Sequence, residues 1–299
     1  MLLVLLLAAR AAATTIVVVR TSDAEPYVQA EAAMRGHLNQ QQYDISSVLV
    51  KDVSQKGVEA AIGTPDAVVA IGTSAARWLH KELPPSIKLL YCMVSNAGEA
   101  GLTEGRNCSG VTTDVNIAQQ FALIAEALPH ARVVGTLYRS DSAEGKDALR
   151  SLTSGLPSGW RVESVAVNEY PSIAEAIDAL TQKNVDVIWT TADQKLYDSA
   201  AVRALLLAAL RAKIPVWGFS PAFVRAGALL GVGVEPRSEG AQVADLLVKS
   251  IADPQNAPAG AASPREFQIA VNLIVAEQLG ITIPDSLSGR ATYVYRTEK

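Results

Sequence analysis

Three short polar stretches in this chain could each hold one end of a small solute, and each stands where an apolar run gives out. Gly72-Thr73-Ser74 follows the run at 67–71 and opens a helix-like segment. A helix N-terminus exposes free N–H groups and the positive end of the macrodipole, and the two hydroxyls add donors, so this turn suits a carboxylate. Simple N-capping by Thr73 or Ser74 would explain the same residues without a ligand. Asp193 follows the run at 185–191. Its carboxylate suits an ammonium or hydroxyl group through a charge-assisted bond, or else it caps a helix beginning near Leu196. Asn96, after the run at 89–94, offers both donor and acceptor, or serves as a turn residue beside Gly98.

Further candidates share that placement. Ser22, Asp23 and Tyr27 follow the first apolar run, Tyr138 and Arg139 follow the run at 133–138, and Phe219 and Ser220 end the run at 216–219. An aromatic ring there could stack on a flat ligand, though each residue taken singly more often serves packing than binding. What sets them apart is their common position at strand ends. Catalytic readings find less support. The histidines, His37, His80 and His130, lie on or at the ends of helix-like segments, and no HExxH, CxxC or GxSxG occurs. Gly231-Val232-Gly233 lacks the third glycine of a dinucleotide fingerprint. The reading is therefore a binder with no catalytic residues, no metal and no cofactor.

The elements that must carry these residues alternate regularly. Strands are expected at 15–20, 45–50, 67–71, 89–94 and 109–111, with helices between them. A second series of strands follows at 133–138, 162–167, 185–191, 216–219, 229–234 and 267–271. Ser172-Ile173-Ala174-Glu175 reads as a capping box, and 253–264 as a Pro/Ala/Gly loop. Such alternation without hairpins means an α/β protein with two Rossmann-like, doubly wound lobes of parallel strands. In such sheets ligands sit beyond the carboxyl ends of the strands, so two such edges suggest two lobes facing one ligand.

Composition narrows the class. The chain has 299 residues, 49% of them hydrophobic and 19% charged, with a net charge of −4. That describes a folded protein, and without a basic run it argues against a nucleic acid or an anionic membrane as partner. MLLVLLLAARAAA at the start is an apolar run ending in small residues, with Ala11-Ala12-Ala13 fitting a cleavage site. It is too short to span a bilayer, so residues 1–13 read as a signal peptide and the mature protein as periplasmic or otherwise extracytoplasmic. Cys92 and Cys108, the two cysteines, could pair in an exported protein or stay as buried free thiols.

Five segments in fixed order carry a family resemblance: VVAIGTSAARWL, LLYCMVSNAGEAGL, GVTTDVNIAQQFALIAEALPHARVVGTLY, KIPVWGFSPAFVRAGALLGVGVEPRSEGAQVADLLV and FQIAVNLIVAEQLGITIPDSL. The chain resembles the substrate-binding proteins of ABC transporters with the type I periplasmic binding fold, in the branch that includes tryptophan- and tyrosine-binding members. The resemblance implies a first lobe of 14–111 plus about 235–265 and a second of 112–234 plus about 266–299. It also implies a monomer that closes on a small polar solute, amino-acid-like ones among the candidates, and delivers it to a permease with a cytoplasmic ATPase. Ser95-Asn96-Ala97, 189–194 and 219–223 depart from the amino-acid binders, so the ligand itself does not carry over. The alternatives are a ligand-sensing module partnering a membrane sensor, and a Rossmann-like enzyme.

Overall fold

Uninterrupted apolar runs need cover on both faces, and here they become the inner strands of two sheets. The computed structural model describes residues 13–38, 42–98, 100–102, 107–193, 195–253 and 260–297. The expected signal peptide lies outside them, apart from Ala13. The chain divides into two units, one running through Val111 and taking in Pro236–Ala262, the other comprising Thr112–Glu235 and Ser263–Lys299.

The first unit opens with β1 (Thr14–Arg20), α1 (Glu25–His37), β2 (Tyr43–Leu49), α2 (Val50–Lys56) and α3 (Val58–Ile62). It continues with β3 (Ala67–Ile71), α4 (Thr73–Glu82), β4 (Lys88–Val94) and β5 (Cys108–Thr112). In the second unit α5 (Ile117–Ala127), β6 (Val133–Tyr138), α6 (Ala143–Gly155), β7 (Arg161–Ala166) and α7 (Ile173–Thr181) come first. There follow β8 (Val187–Trp189), α8 (Ser199–Arg211), β9 (Val216–Gly218), α9 (Pro221–Ala226) and β10 (Leu230–Val234). The chain then gives α10 (Pro236–Ala252) and β11 (Gly260–Ala262) to the first unit. It ends in the second with β12 (Phe267–Asn272), α11 (Leu273–Leu279), α12 (Asp285–Arg290) and β13 (Tyr293–Tyr295).

The first sheet has the order β11-β5-β4-β3-β1-β2 and the second β13-β12-β10-β9-β8-β6-β7. In both, the strand order reverses beside the unit's first strand, between β1 and β3 and between β6 and β8. The helices around each reversal leave on opposite faces. Ala30 and Met34 of α1 pack with Ile16 and Val18, while Ala75 and Leu79 of α4 pack with Val17 and Val19 on the other side. Leu152 of α6 and Leu205 of α8 likewise belong to separate cores. Such a reversal opens a crevice at the strands' carboxyl ends, where ligands of this fold class bind.

Several expectations change in detail. β12 pairs antiparallel with β10, so the second sheet is mixed rather than wholly parallel; periodicity reports burial but not strand direction. The strand expected over 185–191 is shortened to Val187–Trp189, because Asp186 turns its carboxylate onto the N–H groups of Arg132 and Val133 at 2.7 and 2.8 Å. Within the expected loop at 253–264, Gly260–Ala262 adds an edge strand to β5. The helix expected near Leu196 begins at Ser199, with Asp198 accepting from Ala200 and Ala201 as its N-cap.

The cysteines sit on neighbouring strands, are both buried and form no disulfide. Their side chains point to opposite faces: Cys92 packs with Val18, Ile71 and Leu90, and Cys108 with Val17, Leu89 and Tyr91. Adjacent strands cannot bridge cysteines whose Cβ vectors diverge. Burial, and next the Glu239 carboxylate, push the Cys92 thiol well above its ordinary range. A thiol-alkylating reagent is thus expected to label neither cysteine in the native protein and both after denaturation without reductant. An oxidised sample yielding no labelled thiol on denaturation would contradict this.

Candidate functional site

The carboxyl ends of β1, β3 and β4 stand level, since Arg20 pairs with Ile71 and Ile71 with Cys92. Thr21 and Gly72 therefore leave the sheet side by side. Thr21 N–H donates to Ile71 O at 2.9 Å, and its hydroxyl accepts from Ala75 N–H in the first turn of α4 at 3.1 Å. Gly72 is the N-cap of α4, with φ 96° and ψ 152° and no side-chain cap. A Cβ there would stand 2.6 Å from Thr21 Oγ1 and 2.9 Å from Tyr27 Cζ. The glycine thus lets the first-strand loop and the helix entrance close on each other, which brings Gly72, Thr73 and Tyr27 together.

Neither Thr73 nor Ser74 caps α4, contrary to the simpler reading of the turn. Thr73 Oγ1 accepts from Ser95 N–H at 3.3 Å, which ties the helix entrance to the loop after β4 and leaves the hydroxyl proton to donate. Ser74 is exposed. Asn96, with φ 47°, holds that loop in a left-handed turn through Ala100 N–H to its carbonyl at 3.0 Å. Short polar side chains tolerate this conformation best. Ser22 Oγ accepts from Ala24 N–H at 3.3 Å. Asp23 is exposed and paired with Arg20 at 2.9 Å, and Arg20 also meets the buried Glu31 at 2.8 Å.

In the second unit the corresponding edge carries Tyr138, Asp193, Phe219 and Ser220, all partly exposed. Arg139, beside Tyr138, makes a two-point pair with Asp141 at 3.0 and 3.1 Å. That bond holds the Asp141 carboxyl below its usual range. Asp193 Oδ1 accepts from the N–H groups of Lys195 and Leu196 at 2.9 and 3.1 Å. It fixes a turn ahead of α8 instead of capping the helix. Ser220 is the N-cap of α9, accepting from Phe223 N–H at 3.2 Å. Phe219 packs edge-on against Phe223, with centroids 4.9 Å apart.

Two residues that sequence reasoning did not single out belong to these edges. Glu239, in the first turn of α10, is fully buried and accepts the N–H of Met93 at 2.6 Å, where the backbone of β4 turns left-handed with φ 56°. Only its charge in a buried stretch could have drawn notice. Tyr197 lies against Phe219 and Phe223, with centroid separations of 6.3 and 6.2 Å. Its hydroxyl is buried, and burial first, then the Asp193 carboxylate, raises its pKa. Among the described residues no cluster of three or more His, Cys, Asp or Glu side chains could hold a metal ion, and no helix is long and apolar enough to cross a membrane.

A family model described as ABC transporter substrate binding protein matches residues 40–295. No curated protein sequence matches the chain. Solved structures do. An ABC domain from Streptococcus pneumoniae in complex with L-Trp is 23% identical, with a TM-score of 0.63 over 94% of this chain and 99% of that one. A ligand-free, open substrate-binding protein with adhesive properties from Clostridium difficile is 21% identical, with a TM-score of 0.71 over 95% and 100%. A conserved domain protein from Vibrio cholerae is 22% identical, with a TM-score of 0.62 over 94% and 99%. These likenesses identify the fold as the type I periplasmic binding fold.

The close approach at Gly72 yields a direct test. Its φ and ψ lie where a residue with a Cβ is strained by about 1–3 kcal/mol, and the added methyl would also press on Thr21 and Tyr27. Gly72→Ala is expected to lower the Tm by several degrees. A variant melting with the wild type would show that this turn is not held as described.

Proposed function

We propose that this chain, which belongs to the ABC transporter substrate-binding protein family, captures a small polar, amino-acid-like solute outside the cytoplasmic membrane. The solute would pass unchanged to a permease coupled to a cytoplasmic ATPase. The observation that carries the ligand class is the entrance to α4, a ten-residue helix whose N-cap is a glycine: Thr21 takes the N–H of Ala75, and Thr73 and the exposed Ser74 open the helix. The N–H groups of those two residues and the macrodipole there favour a carboxylate. On the second unit, Asp193 commits its Oδ1 to the turn and offers its other oxygen to an ammonium or hydroxyl group. Ser22, Tyr27, Asn96, Tyr138, Phe219 and Ser220 supply the remaining polar and aromatic surface at the strand ends. A relative of the same fold holds L-Trp, which makes that amino acid the first solute to try.

Calorimetry with L-tryptophan, followed by the other proteinogenic amino acids, tests the reading; a wild-type protein that binds none of them would overturn it. For a solute that binds, Asp193→Asn should keep an oxygen for the turn and lose the charge. Breaking one partner of a desolvated charge pair costs about 2–5 kcal/mol, because the other is left buried and unpaired. Affinity is thus expected to fall by at least about tenfold, at about 1.4 kcal/mol per factor of ten, with little change in Tm. Asp193→Ala should lose the turn as well, at about 1 kcal/mol of stability. Unchanged affinity with a lowered Tm would leave Asp193 a turn residue only.

Export has its own readout. N-terminal sequencing of the protein from its native cell is expected to start near Thr14, after Ala11-Ala12-Ala13. Mature protein retaining Met1 would refute it.

A further inference from the structure

The second unit carries a buried phenol with nothing to bond. Tyr197 is 7% exposed, and its hydroxyl finds no hydrogen-bond partner among the described residues. Buried polar groups without partners are uncommon, and each asks for an explanation. Leaving one unpaired costs stability, and replacing it with an apolar group of the same shape relieves that cost. Nothing in the packing of Tyr197 requires the oxygen. Its ring already has an aromatic bed in Phe219 and Phe223, and Leu196, Leu205 and Leu206 complete the same core.

Its location gives the oxygen a use. Tyr197 lies in the segment between β8 and α8, beyond the carboxyl end of β8. Its backbone N–H donates to Asp193 O at 2.8 Å, so the turn that Asp193 folds also sets the phenol. The ring stacked against it, Phe219, is partly exposed and stands at the carboxyl end of β9. A solute that tilts that ring aside meets the phenol packed behind it, with the Asp193 charge close enough to act on the hydroxyl. Burial first, and then the Asp193 charge, keep the phenol neutral, so it holds its own proton while its lone pairs can accept from an N–H or O–H donor.

We infer that Tyr197 is a ligand-specificity residue whose hydroxyl is left unpaired by the fold and accepts a hydrogen bond from the N–H or O–H donor of the bound solute, alongside Asp193. This rests on the amino-acid reading of the preceding subsection. It adds a requirement to that reading: the donor must stand next to an apolar or aromatic body able to lie on Phe219. The site then discriminates by a buried group left unsatisfied when the donor is missing, a strong form of selection.

Tyr197→Phe separates this from a structural role, because the two readings move stability and affinity differently. The ligand-free variant is expected to melt at or above the wild-type temperature, since an unpaired polar atom has been removed. Its affinity for the tightest-binding amino acid, with L-tryptophan tried first, is expected to fall by about tenfold or more. The analogue of that amino acid with its amino group replaced by hydrogen should bind wild type and variant with nearly equal, weakened affinity. A Tm lowered by several degrees without ligand would mean that the hydroxyl has a partner inside the protein, and would overturn the inference. Unchanged affinity in the variant would overturn it while leaving the amino-acid reading intact. A wild-type protein that bound no amino acid would remove both.

Discussion

A parallel ladder that ends leaves backbone donors and acceptors with no strand to receive them, and burial forbids leaving them bare. The loops of this protein are arranged around that constraint. At the carboxyl ends the closure is made by side chains. Thr21 and Thr73 accept N–H groups in the first unit, Thr136 and Thr190 donate to the carbonyls of Trp189 and Trp217 in the second, and Glu239 receives Met93. Each bond leaves the chain free to turn away while the sheet edge stays satisfied. The opposite edges are sealed differently. Asp66 accepts from Thr15, and Asp186 from Arg132 and Val133. Both carboxylates stand immediately before the strand beyond the reversal, β3 or β8, and reach back to the start of the first strand or the residue preceding it. The amino edges are locked by carboxylates, whereas the carboxyl edges, the Glu239 contact apart, are finished with hydroxyls that can still donate or accept once more.

Much of the fold was legible in the sequence. β3 and β6 have the bounds expected of them, because AVVAI and VVGTLY are apolar runs with a sharp polar stop on one side. Ser172 caps α7 through Glu175 N–H as the capping box requires. The failures are equally physical. Thr190 and Thr191 look like strand residues, since β-branched side chains suit a pleat, yet the Thr190 hydroxyl takes the Trp217 carbonyl and the ladder stops at Trp189. GAA has no strand signal of its own and becomes β11 because β5 offers an open edge. β13 is likewise set by the partner strand it meets, Val271 opposite Val294.

The candidate residues were legible by position more than by role. Reading strand ends placed Gly72, Thr73, Asn96, Asp193 and Phe219 at or beside the carboxyl ends of their strands. It could not tell that Thr73 braces the β4 loop or that Arg20 already holds Asp23, since both facts depend on register across strands. Tyr197 and Glu239 escaped because an isolated tyrosine or glutamate has no pattern to announce it. Burial against particular neighbours is what makes them unusual.

The division of the chain bears on how the protein comes off the ribosome. Val243, Ala244 and Leu247 of α10 complete the core that Ile16, Val18, Ala30 and Met34 begin, and β11 covers β5. These partners are separated by roughly 150 to 230 residues of sequence, which include the first and larger stretch of the second unit, Thr112–Glu235. Until Ala262 has been translated, the nascent first unit has a bare flank on α1 and an open edge strand, and contacts of such long separation form slowly. A first unit built this way cannot close its own core until the second crossing of the chain has been made.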